Sequence, residues 1–281
     1  MGLRIGTNIV DTVYMGDTEV DKVYLGSVQV LPAEAPPSPT GTSGMTIFTS
    51  NGSILIPSGA TVTYLIVAGG GAGGSNQLYI GGCNGGYQGA GGGAGGFLSG
   101  STTTTGGTFS AIIGAGGAPV EGGNFGDRGG NGENSTFMGL TAYGGGGGAN
   151  SIYNSPNNGG NGGSGGGATY RKVVPEGGAL CQSALWGTVG TGVAGQGNAG
   201  STSIGGGAGG TPTGRQSDIS GTLTTYSTGN FSMNNPAIPV VNGAANTGNA
   251  GQGATNWGVG TGARVGGYGG SGIVIVKWVK N

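Results

Sequence analysis

The chain has 281 residues, of which 76 are Gly and 11 are Pro, and nine Lys and Arg against ten Asp and Glu leave a net charge of -1. With no His, it offers no imidazole for a catalytic triad, a proton shuttle or a zinc site, and its scattered cations form no basic stripe for nucleic acid. So few charges cannot hold the chain open by self-repulsion, and a Gly-rich backbone of this kind can condense if its N–H and C=O groups find partners.

The first 31 residues carry a ten-residue repeat. Gly6, Gly16 and Gly26 each follow a short β-prone run and precede a small polar or acidic residue, and Val13-Tyr14-Met15 recurs as Val23-Tyr24-Leu25. This is the grammar of strands and tight turns, and it predicts a small β meander over residues 1–31. Strands this short need a second surface. That surface is either the rest of this chain or another protein, and in the second case Val13, Tyr14, Val23 and Tyr24 are the candidate docking residues. No apolar stretch near Met1 reads as a secretory leader, so a secretory signal is not expected.

Residues 32–44 contain Pro32, Pro36, Pro37 and Pro39 followed by small residues. Such a stretch reads as an extended, semi-rigid spacer.

The body spans residues 45–281. It opens with strand-like runs at 45–48, 53–56 and 61–67, punctuated by turn signals at Asn51-Gly52 and Pro57-Ser58-Gly59, and a further run lies at 108–113. The run at 272–279 closes it and is expected to pair with the first set. No apolar run approaches the ~20 residues that span a bilayer, so membrane insertion is not expected. Cys83 and Cys181 allow at most one bridge, and two buried thiols are the simpler reading.

Between these runs Gly recurs with a period of three, at 86, 89, 92 and 95, at 123, 126, 129 and 132, and through 159–167 and 266–272. Three is the period of the polyproline II helix, which has no internal hydrogen bonds and must bond laterally. Gly at every third position bares one edge and lets a neighbouring helix approach. The fold class expected is therefore mainly β with polyglycine II helices, a glycine-rich sandwich closed by flanking strands. Collagen is disfavoured by the low Pro content; a flexible linker array is the competing reading.

The order of these motifs resembles the glycine-rich domain of bacteriophage tail and fibre proteins. The resemblance rests on the strand before a Pro-Ser-Gly-Ala turn, Val62 to Val67 followed by 69–74, the run 109–117, Tyr143 with 144–148, the block 205–210 and the ending 270–278, together with the twin Val-Tyr units. It implies a virion protein on the particle exterior, made in the host cytoplasm, with a body similar to the polyglycine-sandwich tip adhesins of T-even-like phages. Its implied partners are other tail or fibre proteins at the N-terminal module and a host-surface glycan or outer-membrane protein at the loops, with homo-oligomers compatible. Those adhesins usually lack an N-terminal repeat module, which leaves the attachment point open. A capsid or tail decoration protein, or a head fibre, is the alternative role; an ice-binding polyglycine protein is a third, though it gives no reason for the repeat.

Nothing in the chain argues for an enzyme, a cofactor or a metal. Gly-x-Gly-x-x-Gly arises by chance in such a sequence, and no Gly-Lys dipeptide forms a Walker loop. Glu121, Asp127 and Glu133, six apart on a three-residue helix, would lie about 19 Å from one another, beyond the ~5–9.5 Å of a glycosidase pair. Recognition is expected of the non-glycine inserts, since loops on a rigid scaffold carry binding residues and aromatic rings offer contact area at low entropy cost. The candidates are Tyr153, Tyr170, Arg171, Trp186, Arg215, Tyr226, Phe231 and Trp257, chiefly in the inserts 169–189 and 211–245. For each, covering the ends of the sandwich is the competing role.

Overall fold

A computed structural model describes residues 42–76, 89–120, 128–151, 158–173, 182–201, 214–230, 239–254 and 265–280, together with six short strands in the first 31 residues. Those six strands are β1 (Arg4–Ile5), β2 (Asn8–Ile9), β3 (Val13–Met15), β4 (Thr18–Val20), β5 (Tyr24–Leu25) and β6 (Val28–Gln29). They pair as three separate antiparallel hairpins, β1 with β2, β3 with β4 and β5 with β6. Each ten-residue unit is thus a hairpin in itself, where one strand per unit in a shared meander was expected. The reason lies in the registers Ile5↔Asn8, Met15↔Thr18 and Leu25↔Val28, which leave two residues between paired strands. In each case the first of those two is Gly, the residue that a two-residue primed turn favours.

The body is built on two four-stranded antiparallel sheets. Its strands are β7 (Ser43–Phe48), β8 (Gly52–Ile56), β9 (Thr61–Val67), β10 (Phe97–Thr103), β11 (Gly107–Ile112), β12 (Ser135–Phe137), β13 (Leu140–Ala142), β14 (Thr169–Val173), β15 (Gln182–Trp186), β16 (Arg215–Ser217), β17 (Thr224–Tyr226) and β18 (Ile273–Val279). The first sheet has the order β10-β9-β18-β7 and the second β13-β12-β11-β8. The closing strand therefore does pair with the opening ones, in the registers Val279↔Thr61 and Val279↔Ser43. Two further hairpins, β14 with β15 and β16 with β17, stand apart from these sheets. Among the described residues there is no α-helix.

Period-two alternation explains how the sheets stack. Val62 and Ile66 of β9, and Val274, Val276 and Trp278 of β18, share one face and are buried against Ile56, Ala111, Phe137 and Ala142 of the second sheet. Those strands are rich in β-branched residues, which suit a pleated surface buried on both sides. The opposite face of β9 and β18 presents Leu65, Val67, Ile273 and Ile275, which join Phe97 in a second cluster covered by Tyr226 and, in part, Ile219. The hairpin β16–β17 thus roofs half of the first sheet's outer face. Beyond that roof the same face changes to Thr61, Thr63 and Lys277, all exposed.

Candidate functional site

Six glycine-rich segments continue these strands without a break. Residues 68–76 follow β9, 114–118 follow β11 and 143–151 follow β13, while 89–96, 128–134 and 265–272 lead into β10, β12 and β18. Because the strands alternate in direction, all six leave the two sheets at one end, here called apical. The basal end holds Thr61, Thr103, Ser43 and Val279.

The apical segments bond to one another chiefly through backbone. Along 69–74, Gly69 and Ala72 donate to the carbonyls of Glu133 and Gly130, Gly70 and Gly73 to those of Gly270 and Gly267, and Gly71 and Gly74 to those of Gly93 and Ala90, all at 2.8–3.0 Å. The carbonyls of Gly69 and Ala72 accept from Gly145 and Gly148, those of Gly71 and Gly74 from Gly251 and Ala254, and that of Gly70 from Gly117. One segment bonds six others, and five of the six are revisited after three residues. The pattern repeats outward: Gly89, Gly92 and Gly95 donate to Ala254, Gly251 and Gly248, and Ala90, Gly93 and Gly96 to Ala149, Gly146 and Tyr143.

At the closest approaches between segments there is no room for a side chain. Ala72, Ala90, Ala94, Ala149, Ala250 and Ala254 are buried within the lattice. Ordering Gly costs more backbone entropy than ordering any other residue, while a buried peptide group left unpaired costs as much as a lost hydrogen bond. The lattice therefore holds only if nearly every N–H and C=O is satisfied.

Where no neighbouring carbonyl faces a donor, asparagine supplies one. The Oδ1 atoms of Asn131 and Asn134 accept from the N–H groups of Gly147 and Gly144 at 2.8 and 2.9 Å, and those of Asn158 and Asn161 from Thr188 and Thr191 at 2.8 and 2.9 Å. The spacing of three within each pair matches the spacing of the donors. Gln196 and Gln252 do the same for Tyr143 and Val241. These residues were not singled out in the sequence, although for Asn131 and Asn161 the third position of Gly-Gly-Asn was the available signal. Replacing Asn131 and Asn134 with Ala is expected to destabilise the fold by about 1–2 kcal/mol each, because a donor loses its acceptor. Asn→Asp, which keeps an acceptor oxygen, should cost less, and denaturant midpoints of the four variants would check both statements.

Several described segments end together at the apical level. Ser151 donates its N–H to the carbonyl of Ser75, Gly89 bonds Ala254, Gly266 donates to Ser75 Oγ, and the Ser75 hydroxyl bonds the carbonyl of Val120. The connections 77–88, 121–127, 152–157 and 255–264 therefore leave and re-enter the described residues at that end. The hairpin β14–β15 starts there as well, since Gly167, two residues before it, accepts from Ala149. By contrast, the chain enters the body at the basal end, where Lys280 N–H donates to the carbonyl of Thr42 at 2.6 Å.

The sequence candidates scatter across this frame. Tyr170 and Arg171 lie on β14 and Trp186 on β15, in a hairpin of register Thr169↔Trp186. Arg215 is exposed on β16, but its Nη1 donates to the carbonyl of Gly195 at 3.0 Å and its guanidinium lies 5.6 Å from the centroid of the Phe97 ring. That arrangement ties the roofing hairpin to the lattice. Tyr226 is a correction: at 3% exposure its ring belongs to the second apolar cluster, so it seals the sheet and presents no binding surface. Tyr153, Phe231 and Trp257 lie outside the described residues, as do Val23, Cys83 and Cys181. Val13, Tyr14 and Tyr24 fall on β3 and β5 of the N-terminal hairpins.

No curated protein matches the chain. A family model described as a glycine-rich domain matches residues 48–279, from the last residue of β7 through the last of β18, and so takes in the lattice and every strand of the two sheets except most of β7. The chain therefore belongs to the glycine-rich domain family.

Proposed function

We propose that the protein is a non-enzymatic structural component of a bacteriophage virion, an adhesin at the tail fibre or tail tip, whose glycine segments are polyglycine II helices. The three-residue return of five of the six hydrogen-bond partners along 69–74 supports the helix assignment, since a backbone turning through one third of a circle per residue addresses each neighbour once in three. The observation that carries the functional reading is polarity. The N-terminal hairpins and Pro-rich spacer join the body at its basal end, while four connections and the β14–β15 hairpin gather at the apical end. A tether at one end and connections at the other suit a reader of a host-surface glycan or outer-membrane protein, with the lattice holding the ends of the connections in place.

The test separates tether from reader. Removing residues 1–31 should abolish incorporation into particles while the purified body still competes with phage for host cells; truncated protein found in particles at normal copy number would sink the docking role. A capsid or tail decoration role is favoured by the placement of Tyr226 in the core and of Arg215 on Gly195 and Phe97, which withdraws two aromatic and basic candidates from recognition. Under that reading the truncated body would not compete.

A further inference from the structure

The outer face of the first sheet carries a second feature, at the end opposite the apical connections. Where the roof of β16–β17 stops, its turn at 218–221 borders an open cleft of about 990 Å³ on the sheet. Thr61, Thr63, Ser99, Ser101, Asp218 and Lys277 line it. The strand registers explain the grouping: Ser101↔Thr63 and Lys277↔Thr63 place one row of polar side chains across three strands. Met45 and Val279, both on the same face and 50% and 39% exposed, add an apolar margin.

The side chains that line this cleft differ from those that the lattice engages. Asn131, Asn134, Asn158, Asn161, Gln196, Gln252, Ser135 and Ser271 all bond backbone N–H groups. The hydroxyls of Thr61, Thr63, Ser99 and Ser101, the Asp218 carboxylate and the Lys277 ammonium make no hydrogen bond to any described residue. The floor's backbone groups are already paired in the ladders β10–β9 and β9–β18, so recognition there must come from side chains.

We infer that this cleft is a carbohydrate-binding site. A hydroxyl both donates and accepts, so a row of four unpartnered hydroxyls matches a ligand whose own groups do both, which a polyol does and a peptide backbone does only in part. One carboxylate and one ammonium add a strong acceptor and a strong donor without a net charge that would demand an ionic ligand. Met45 and Val279 offer apolar surface to the C–H face of a pyranose ring. The volume sits at the upper end of the ~300–1,000 Å³ of ordinary ligand sites, which fits a short oligosaccharide. The site is distinct from the apical end and does not depend on the adhesin reading.

Methyl-labelled full-length chain titrated with maltotetraose, cellotetraose and lacto-N-tetraose would test it. The expected result is that at least one sugar, at concentrations reaching above ~1 mM, shifts the methyl signals of Thr61, Thr63, Met45 and Val279 but not those of Val67 or Val274 in the core. The double variant Thr63→Ala with Ser101→Ala should weaken that binding about tenfold, and Lys277→Met should weaken it while leaving the core signals unchanged. Competition for host cells by the cleft variants, measured alongside, should match the parent if apical connections do the adsorbing. Absence of shifts with all three sugars, shifts that persist undiminished in the double variant, or shifts produced only by a peptide library would each overturn the proposal.

Discussion

Replacing Gly71 with Ala is expected to destabilise the protein by about 3 kcal/mol or more, whereas Gly59→Ala should cost only about 1 kcal/mol. The two glycines are needed for different reasons. Gly71 sits on the central segment, and a Cβ there would fall upon the carbonyls of Gly146 and Gly145 in the adjoining segment. Gly59 is in the turn between β8 and β9 with φ +78°, and a Cβ built on it meets nothing within 4 Å, so only left-handed strain opposes a side chain. Overpacking against backbone cannot be relieved by a rotamer change, and the segments carrying Gly93 and Gly146 bond to one another as well as to the segment that carries Gly71. Denaturant midpoints at unchanged slope would measure the difference, and hydrogen exchange should show lost protection at Gly93 and Gly146 in the Gly71 variant only. Equal losses from the two substitutions would mean that the lattice yields where it is drawn as closed.

Phe137→Ala should cost a similar or larger amount, about 3–5 kcal/mol, by leaving a cavity between the sheets. The ring is fully buried in the first apolar cluster and lies 6.3 Å from the Phe109 ring at a tilt of 60°. β12 and β13 are only three residues each, and Phe137 and Ala142 are the buried side chains they bring to the cluster, so no large neighbour on those strands replaces the ring. Leu223→Ala, at a position 64% exposed, should change stability by no more than about 0.5 kcal/mol. Thermal unfolding of the pair would check the contrast, and a Phe137 variant as stable as the Leu223 variant would place the core elsewhere.

The strands that sequence reading found are those whose residues are themselves β-formers. Residues 61–67 and 273–279 are continuous or alternating apolar runs, and both emerged as central strands paired to each other. The period of three in Gly89, Gly92 and Gly95 likewise appears directly as three successive bonds to one neighbour. By contrast, β10 was not anticipated, since its sequence of Ser, Thr and Gly resembles a linker. It is a strand because β9 templates it, with Gly100 opposite Tyr64 and the Tyr64 hydroxyl filling the place a Cβ would take. Tyr226 was read as a recognition residue for its type and its position in an insert; what decided its place was the uncovered face of Leu65, Val67, Ile273 and Ile275, a tertiary need with no local signature. The hydroxyl row of the cleft was illegible for the same reason, as it assembles only when β9, β10 and β18 are set in register.

The lattice has a thermal consequence. Unfolding the sheets exposes apolar side chains, which raises heat capacity, but unfolding the glycine segments exposes chiefly peptide groups, which lowers it. The two contributions oppose one another, so the heat-capacity increment per residue falls below that of an ordinary domain, and the curve of stability against temperature is correspondingly shallow. Cooling weakens hydrophobic burial, yet that loss reaches only the two apolar clusters, while segments held by backbone hydrogen bonds have little of such burial to lose. A body of this construction keeps its shape across a wide span of temperature on both the cold and the warm side.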